Sequence, residues 1–315
     1  MPTVRRLLAI WMSLTGLLLG SQAFAAPRVA TSIKPVGDLV AAVMVGVGTP
    51  SVLIPPGSSP HTYAFKPSER MAAEKAQVLF WIGPDVESAL SKITQAMPAG
   101  ARIVTLSTLP GIALLPARTG GDWERKRPAP QSAGHDDHDR RGSFDGHLWL
   151  SPANAKVILH ATAQTLSVVD PAHAALYRAN ADSAVQRIDR LDAQIKAELA
   201  PVKDKPFIVF HDAFQYFEHA FGLRAVGSIL VSPDALANAG RVSEMRDKIR
   251  NKGVVCVFSE PQFEPRLVRT LTEGSNARLG TLDPLGAKGP TGLDGYEVLL
   301  RNLSNNLVRC LSGKA

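Results

Sequence analysis

Apolar and polar positions along this chain follow two periods, one that suits strands and one that suits helices. Apolar runs of strand length fall at residues 28–33, 51–54, 78–82 and 102–106, with helical spacing at 38–45, 67–77 and 85–97 between them. Strands that alternate with helices in this way predict a parallel α/β sheet. Residues 119–145 interrupt the alternation with Gly, Pro, charge and His, as an exposed loop does. Order resumes at Trp149, where Ser151-Pro152 caps a helix whose Val157, Ile158, Ala161 and Leu166 recur at helical spacing.

Asp170-Pro171 ends that helix and starts a longer one. Residues 172–200 hold no glycine and no interior proline, and Val185, Ile188, Leu191, Ile195 and Leu199 follow at steps of three or four. At ~1.5 Å per residue such a helix spans ~40 Å, the width of a domain, and reads as a rigid strut. Beyond it the first pattern returns, with strands at 207–210, 223–229, 254–258 and 278–282 and helices at 240–251, 265–273 and 293–311. The expected fold is α/β: two Rossmann-like lobes, residues 26–171 and 201–315, joined by the helix 172–200.

The first 25 residues stand apart from this pattern. Arg5 and Arg6 precede a largely apolar run at 7–19, and Ala23-Phe24-Ala25 matches a small-x-small cleavage site, so a secretory leader is expected at 1–25. The apolar run is broken by Ser13, Thr15 and Gly16 and is shorter than the ~20 residues of a spanning helix. No later run is as long, and no cysteine near the cleavage point offers a lipid anchor. These features predict a soluble exported protein, read here as periplasmic. Loss of Arg5 and Arg6 takes the net charge from +7 to +5, too mild and too scattered for a nucleic-acid partner.

Export to an oxidising compartment bears on the two cysteines, Cys256 and Cys310. A disulfide between them is expected; a pair of thiolate metal ligands is the competing assignment, and neither belongs to a Cys-x-x-Cys cluster. Closing their 54-residue loop is worth roughly 4 kcal/mol in the chain-entropy model.

Candidate chemistry is densest between Gly134 and Pro152, where His135, His138 and His147 stand among Asp136, Asp137, Asp139 and Asp145. Imidazole and carboxylate are the ligands that divalent transition metals such as zinc prefer. His135 and His138 lie inside the polar loop and are either solvated side chains or a weak accessory metal site. His147 is followed by Leu148-Trp149-Leu150 and stands where the loop meets packed structure, which makes it the better ligand.

Ligands of open α/β sheets bind outside the carboxyl ends of the strands. His61 follows the 51–54 strand through a Pro- and Gly-rich loop, His211 directly follows the 207–210 strand, and Asp283 directly follows the 278–282 strand. Singly, a histidine after a strand is most often a structural hydrogen-bonder and an aspartate before proline a turn former. Together with His147 they draw on both lobes, and three nitrogens with one oxygen suit tetrahedral zinc. His160, His173 and His219 fall in or near helices without such partners and read as structural.

Six segments carry a resemblance: Ser32-Ile33-Lys34-Pro35, Pro56-Gly57-Ser58-Ser59-Pro60-His61-Thr62-Tyr63, His147-Leu148-Trp149-Leu150-Ser151-Pro152, Phe210-His211-Asp212-Ala213-Phe214, Ser259-Glu260-Pro261-Gln262-Phe263 and Thr281-Leu282-Asp283-Pro284-Leu285. In order and spacing they resemble the zinc-binding periplasmic component of bacterial zinc ABC importers, the ZnuA type of the cluster A-I metal-binding proteins. The resemblance covers nearly the whole mature chain. It implies a non-enzymatic, monomeric protein with lobes joined by one long helix, which binds Zn2+ between them and delivers it to a membrane permease.

His61, His147 and His211 match the family's histidine ligands, and a histidine where manganese-type relatives carry glutamate, at 211, favours zinc. Asp283 matches a position that supplies a carboxylate in many members. Pro60 stands where some zinc members carry a glutamate, which leaves Asp283 or water as the fourth ligand. The loop, with only His135 and His138, is short for a scavenging role. Two alternatives compete: a manganese- or iron-type importer component or adhesin of the same fold, and an exported zinc hydrolase. The hydrolase needs a general base; no His-Glu-x-x-His is present, and Glu260 is the only carboxylate besides Asp283 at a strand's carboxyl end.

Overall fold

The structure, a computed structural model, describes residues 25–118, 144–230, 239–264 and 266–313. The leader, His135 and His138 lie outside the described residues.

The first lobe is built on β1 (Val29–Thr31), β2 (Ser51–Val52), β3 (Val78–Trp81) and β4 (Arg102–Thr105), which pair in parallel in the order β2-β1-β3-β4. β1 and β3 lie inside the sheet and are buried at every residue, which is why Val78-Leu79-Phe80-Trp81 reads as an unbroken apolar run. The crossovers carry α1 (Lys34–Val43), α2 (Pro67–Glu74) and α3 (Ser88–Ala96). α1 begins four residues before the expected start, because Pro35 occupies its first turn, where a missing N–H costs nothing.

α4 (Pro152–Val169) starts at the predicted cap, with the Ser151 hydroxyl accepting from the Asn154 N–H. A short 3-10 turn, Pro171–His173, precedes α5 (Ala174–Leu199). Tyr177, Ala181, Ala184, Ile188, Leu191, Ile195 and Leu199 form the buried stripe of α5 at steps of three and four.

The second lobe repeats the first, with β5 (Phe207–His211), β6 (Ala225–Leu230), β7 (Cys256–Ser259) and β8 (Arg278–Thr281) parallel in the order β6-β5-β7-β8. Its helices are α6 (Gln215–Phe221), α7 (Ala239–Asn251), α8 (Arg266–Thr272) and α9 (Leu293–Ser312). α6 was not expected from the pattern; it buries Tyr216, Phe217 and Phe221 and stops at Gly222 in the left-handed region, φ 67°. Cys256 on β7 and Cys310 on α9 form the disulfide.

α9 ties the lobes together. It packs on α1 and α5 of the first half, and one apolar core runs through residues of both lobes. Lys34 donates to Pro290 O at 2.7 Å, Asp38 accepts from Gly292 N at 3.1 Å, and Arg187 of α5 pairs with Asp294 and Glu297.

Candidate metal centre

His61, His147 and His211 come from separate parts of the sequence, and the fold brings them together. His61 sits in the turn-rich loop between β2 and α2 and is half-buried. His147 precedes a 3-10 turn, Leu148–Leu150, whose three side chains are fully buried and anchor it. His211 is the last residue of β5, beside β7 in the middle of its sheet. In the order β6-β5-β7-β8 the chain reverses its winding between β5 and β7, so His211 stands at the topological switch point, where ligands of such sheets collect.

The ring nitrogens converge. His147 Nε2 lies 3.3 Å from His61 Nε2 and 3.3 Å from His211 Nε2, and one ligand atom from each of the three lies within 4.8 Å of the others. The cavity at their centre is about 10 Å³, room for one ion or water. A tetrahedral zinc with Zn–N of roughly 2.0–2.1 Å sets its nitrogen donors roughly 3.3–3.4 Å apart, so the two spacings from His147 fit that ion.

Two carboxylates determine which nitrogen of each anchored ring faces inward. Asp145 Oδ1 accepts from His147 N at 2.9 Å and lies 2.7 Å from its Nδ1. Glu260 Oε1 accepts from His211 N at 3.0 Å and lies 2.7 Å from its Nδ1. An ionised carboxylate only accepts, so each Nδ1 carries the proton and each Nε2 keeps its lone pair. Lone pairs facing one another across 3.3 Å repel unless a cation lies between them. Among the described residues Asp145 Oδ2 and Glu260 Oε2 are buried without hydrogen-bond partners, which adds negative potential around the same point.

His61 has no such partner among the described residues; its ring meets His147 and His211. Burial, then the neighbouring His147 and His211, hold its pKa well below the ordinary imidazole value, so it too presents a lone pair at neutral pH. Trp149 packs against His147 and Phe263 against His211, and Trp149 Nε1 donates across the lobes to Pro284 O at 2.8 Å.

Asp283 is not in this group of converging atoms. Its Oδ1 accepts from Gln262 Nε2 and Leu285 N and its Oδ2 from Ala287 N, although the adjoining Pro284 and Leu285 line the cavity. His160 and His219 are exposed and His173 pairs with Asp170, all away from the centre.

Sequence reasoning passed over Asp145 and Glu260 as supports. Asp145 was one acid among several in the polar run, and Glu260 was weighed only as a hydrolytic base. The signals were present: an aspartate two residues before a histidine is placed to take its main-chain N–H, and Glu260 directly follows β7 at the same kind of address as His211.

The family described as zinc-uptake complex component A, periplasmic, matches residues 29–310. The chain belongs to the ZnuA family. It is 44% identical over 305 residues to the high-affinity zinc uptake system protein ZnuA of Brucella suis biovar 1, covering 90% of this chain and 91% of that one. To the ZnuA of Yersinia pestis it is 36% identical over 296 residues, with 91% and 92% covered. A crystal structure of ZnuA superposes with a TM-score of 0.75 at 24% identity, covering 91% of this chain and 99% of that one, which shows the shared fold.

Proposed function

We propose that this chain captures Zn2+ in the periplasm and passes it to the membrane permease of an ABC importer, working as a binding protein and not as an enzyme. ZnuA-family membership supports the capture, the compartment and the permease partner. Among the described residues no helix is long and apolar enough to cross a membrane. The chain acts as a monomer, with lobes at 26–171 and 201–315 and the helix 172–200 between them.

His61, His147 and His211 are the zinc ligands. The observation that carries this is the convergence of three Nε2 atoms, two of them presented by carboxylate-held rings. The fourth position belongs to water, or to Asp283 if it exchanges a hydrogen bond from Gln262 or Ala287 for the ion. His135 and His138 serve at most as a weak accessory site.

Equilibrium competition against a chromogenic chelator tests the assignment. Wild type is expected to take one tight zinc, and His147→Ala or His211→Ala to weaken it by orders of magnitude, while a chain lacking residues 134–141 keeps it. Asp283→Ala separates the fourth ligands: an unchanged affinity assigns the position to water. Tight zinc that survives loss of His147 but not of residues 134–141 would overturn the ligand set. Zinc-dependent turnover of ester or peptide substrates, abolished by His211→Ala, would restore the hydrolase.

A further inference from the structure

The group that holds His147 is itself held. The Asp145 N–H donates to Leu115 O at 2.8 Å, and the Asp145 carbonyl accepts from Tyr216 Oη at 2.7 Å. The Leu115 N–H donates to the same phenol oxygen at 3.1 Å. One hydroxyl therefore closes a ring of hydrogen bonds between the two chain segments that meet beside His147. Next to this ring Pro116 and Phe144 form an isolated antiparallel bridge. Tyr216 is buried on α6, which starts four residues beyond His211, and it is not among the residues lining the cavity. Burial, and the charge of Asp145, push its hydroxyl up to about 12, so it remains a donor at neutral pH.

His211 is supported differently. Its carboxylate, Glu260, comes from the end of β7, and the described hydrogen bonds of the Tyr216 hydroxyl are with Leu115 and Asp145. The two anchored imidazoles thus have separate supports, and only the one behind His147 runs through the phenol.

We propose that Tyr216 is a positioning residue of the metal centre: it fixes the main chain of Asp145, and through Asp145 Oδ1 the orientation and tautomer of His147. This rests on His147 being a zinc ligand. Without the hydroxyl, Leu115 N and Asp145 O lose a buried partner, the two segments spread, and the carboxylate withdraws from the imidazole.

A double-mutant cycle on the full mature chain distinguishes this from a general structural role. Zinc affinity is measured for wild type, Y216F, D145A, E260Q and the pairs Y216F/D145A and Y216F/E260Q. Y216F is expected to weaken zinc roughly fivefold, the worth of one typical hydrogen bond, and D145A roughly 10–100-fold. Y216F/D145A should bind within about twofold of D145A alone, because the link is already cut, whereas Y216F and E260Q should multiply. Nitrogen-15 spectra of the metal-free Y216F chain should show His147 losing its Nδ1–H signature while His211 keeps its own.

The proposal is overturned if Y216F leaves affinity unchanged, if it weakens D145A by the same factor as wild type, or if both imidazoles change together. A wild-type chain that takes no zinc, or whose zinc affinity is indifferent to His147→Ala, overturns the ligand assignment itself and this proposal with it.

Discussion

At Gly146 the main chain passes Val86 so closely that a methyl group would overlap Val86 Cγ2, and its neighbours on either side are Asp145 and His147. Gly146→Ala is therefore expected to cost about 1–3 kcal/mol as overpacking and to move the Asp145–His147 pair. Thermal melts and zinc titration should both register the change; full stability with full affinity would contradict it. Protonation supplies a second expectation. Zinc and protons compete for the same lone pairs, so a lowered imidazole pKa extends binding to lower pH. With His61 held well below the ordinary imidazole value, its competition with protons moves to lower pH, so affinity should stay level from pH 8 to 7 and fall on further acidification. A fall already complete by pH 7, or none by pH 5, would contradict the three-imidazole centre. The three histidines were legible in the sequence because each stands at a strand end or at the junction of a polar loop with an apolar run. Their supports were fainter: Asp145 was marked by its place two residues before His147 and Glu260 by its place after β7, but the pairing of Glu260 with His211 spans 49 residues and has no local signal.

α9 is fastened at both ends, and each fastening has its own test. Near its carboxyl end Cys310 is bonded to Cys256, and Arg278 Nε donates to Cys310 O at 2.7 Å. Cys256→Ser should lower stability by roughly 2–4 kcal/mol and leave one zinc bound, because neither cysteine approaches the imidazoles; lost zinc with an intact fold would argue otherwise. Near its start, the buried ion pair Lys34–Asp38 on α1 holds the turn at Pro290 and Gly292. Asp38→Ala leaves Lys34 buried without its carboxylate and should cost about 3–5 kcal/mol, read from denaturant midpoints. A loss below ~1 kcal/mol would mean that the turn holds without the pair. The helical period of α5 and the unbroken apolar run of β3 were legible in the sequence. α6 was not, since its seven residues, rich in aromatics, are too few to show a helical period. The apolar spacing at 38–45 marked α1 but not its start, because Pro35 forms the opening turn four residues earlier, at Lys34.

The molecule joins two sheets of the same strand order and places a histidine from each half, with His147 between them, around one small cavity. The parallel α/β class followed from the alternation of periods, but strand order did not, because periodicity shows which face is buried and not which strand lies beside it. Packing of α9 on α1 and α5 makes one continuous core of both halves, so His147 and His211 are held before any ion arrives and binding carries a small ordering cost. X-ray absorption at the zinc edge of the mature, zinc-loaded protein examines the resulting ion most directly. The expected first shell has three imidazole nitrogens at roughly 2.0–2.1 Å and one oxygen, with no sulfur. A shell made of oxygens alone, one containing thiolate, or one with fewer than three imidazoles would contradict the His61–His147–His211 centre.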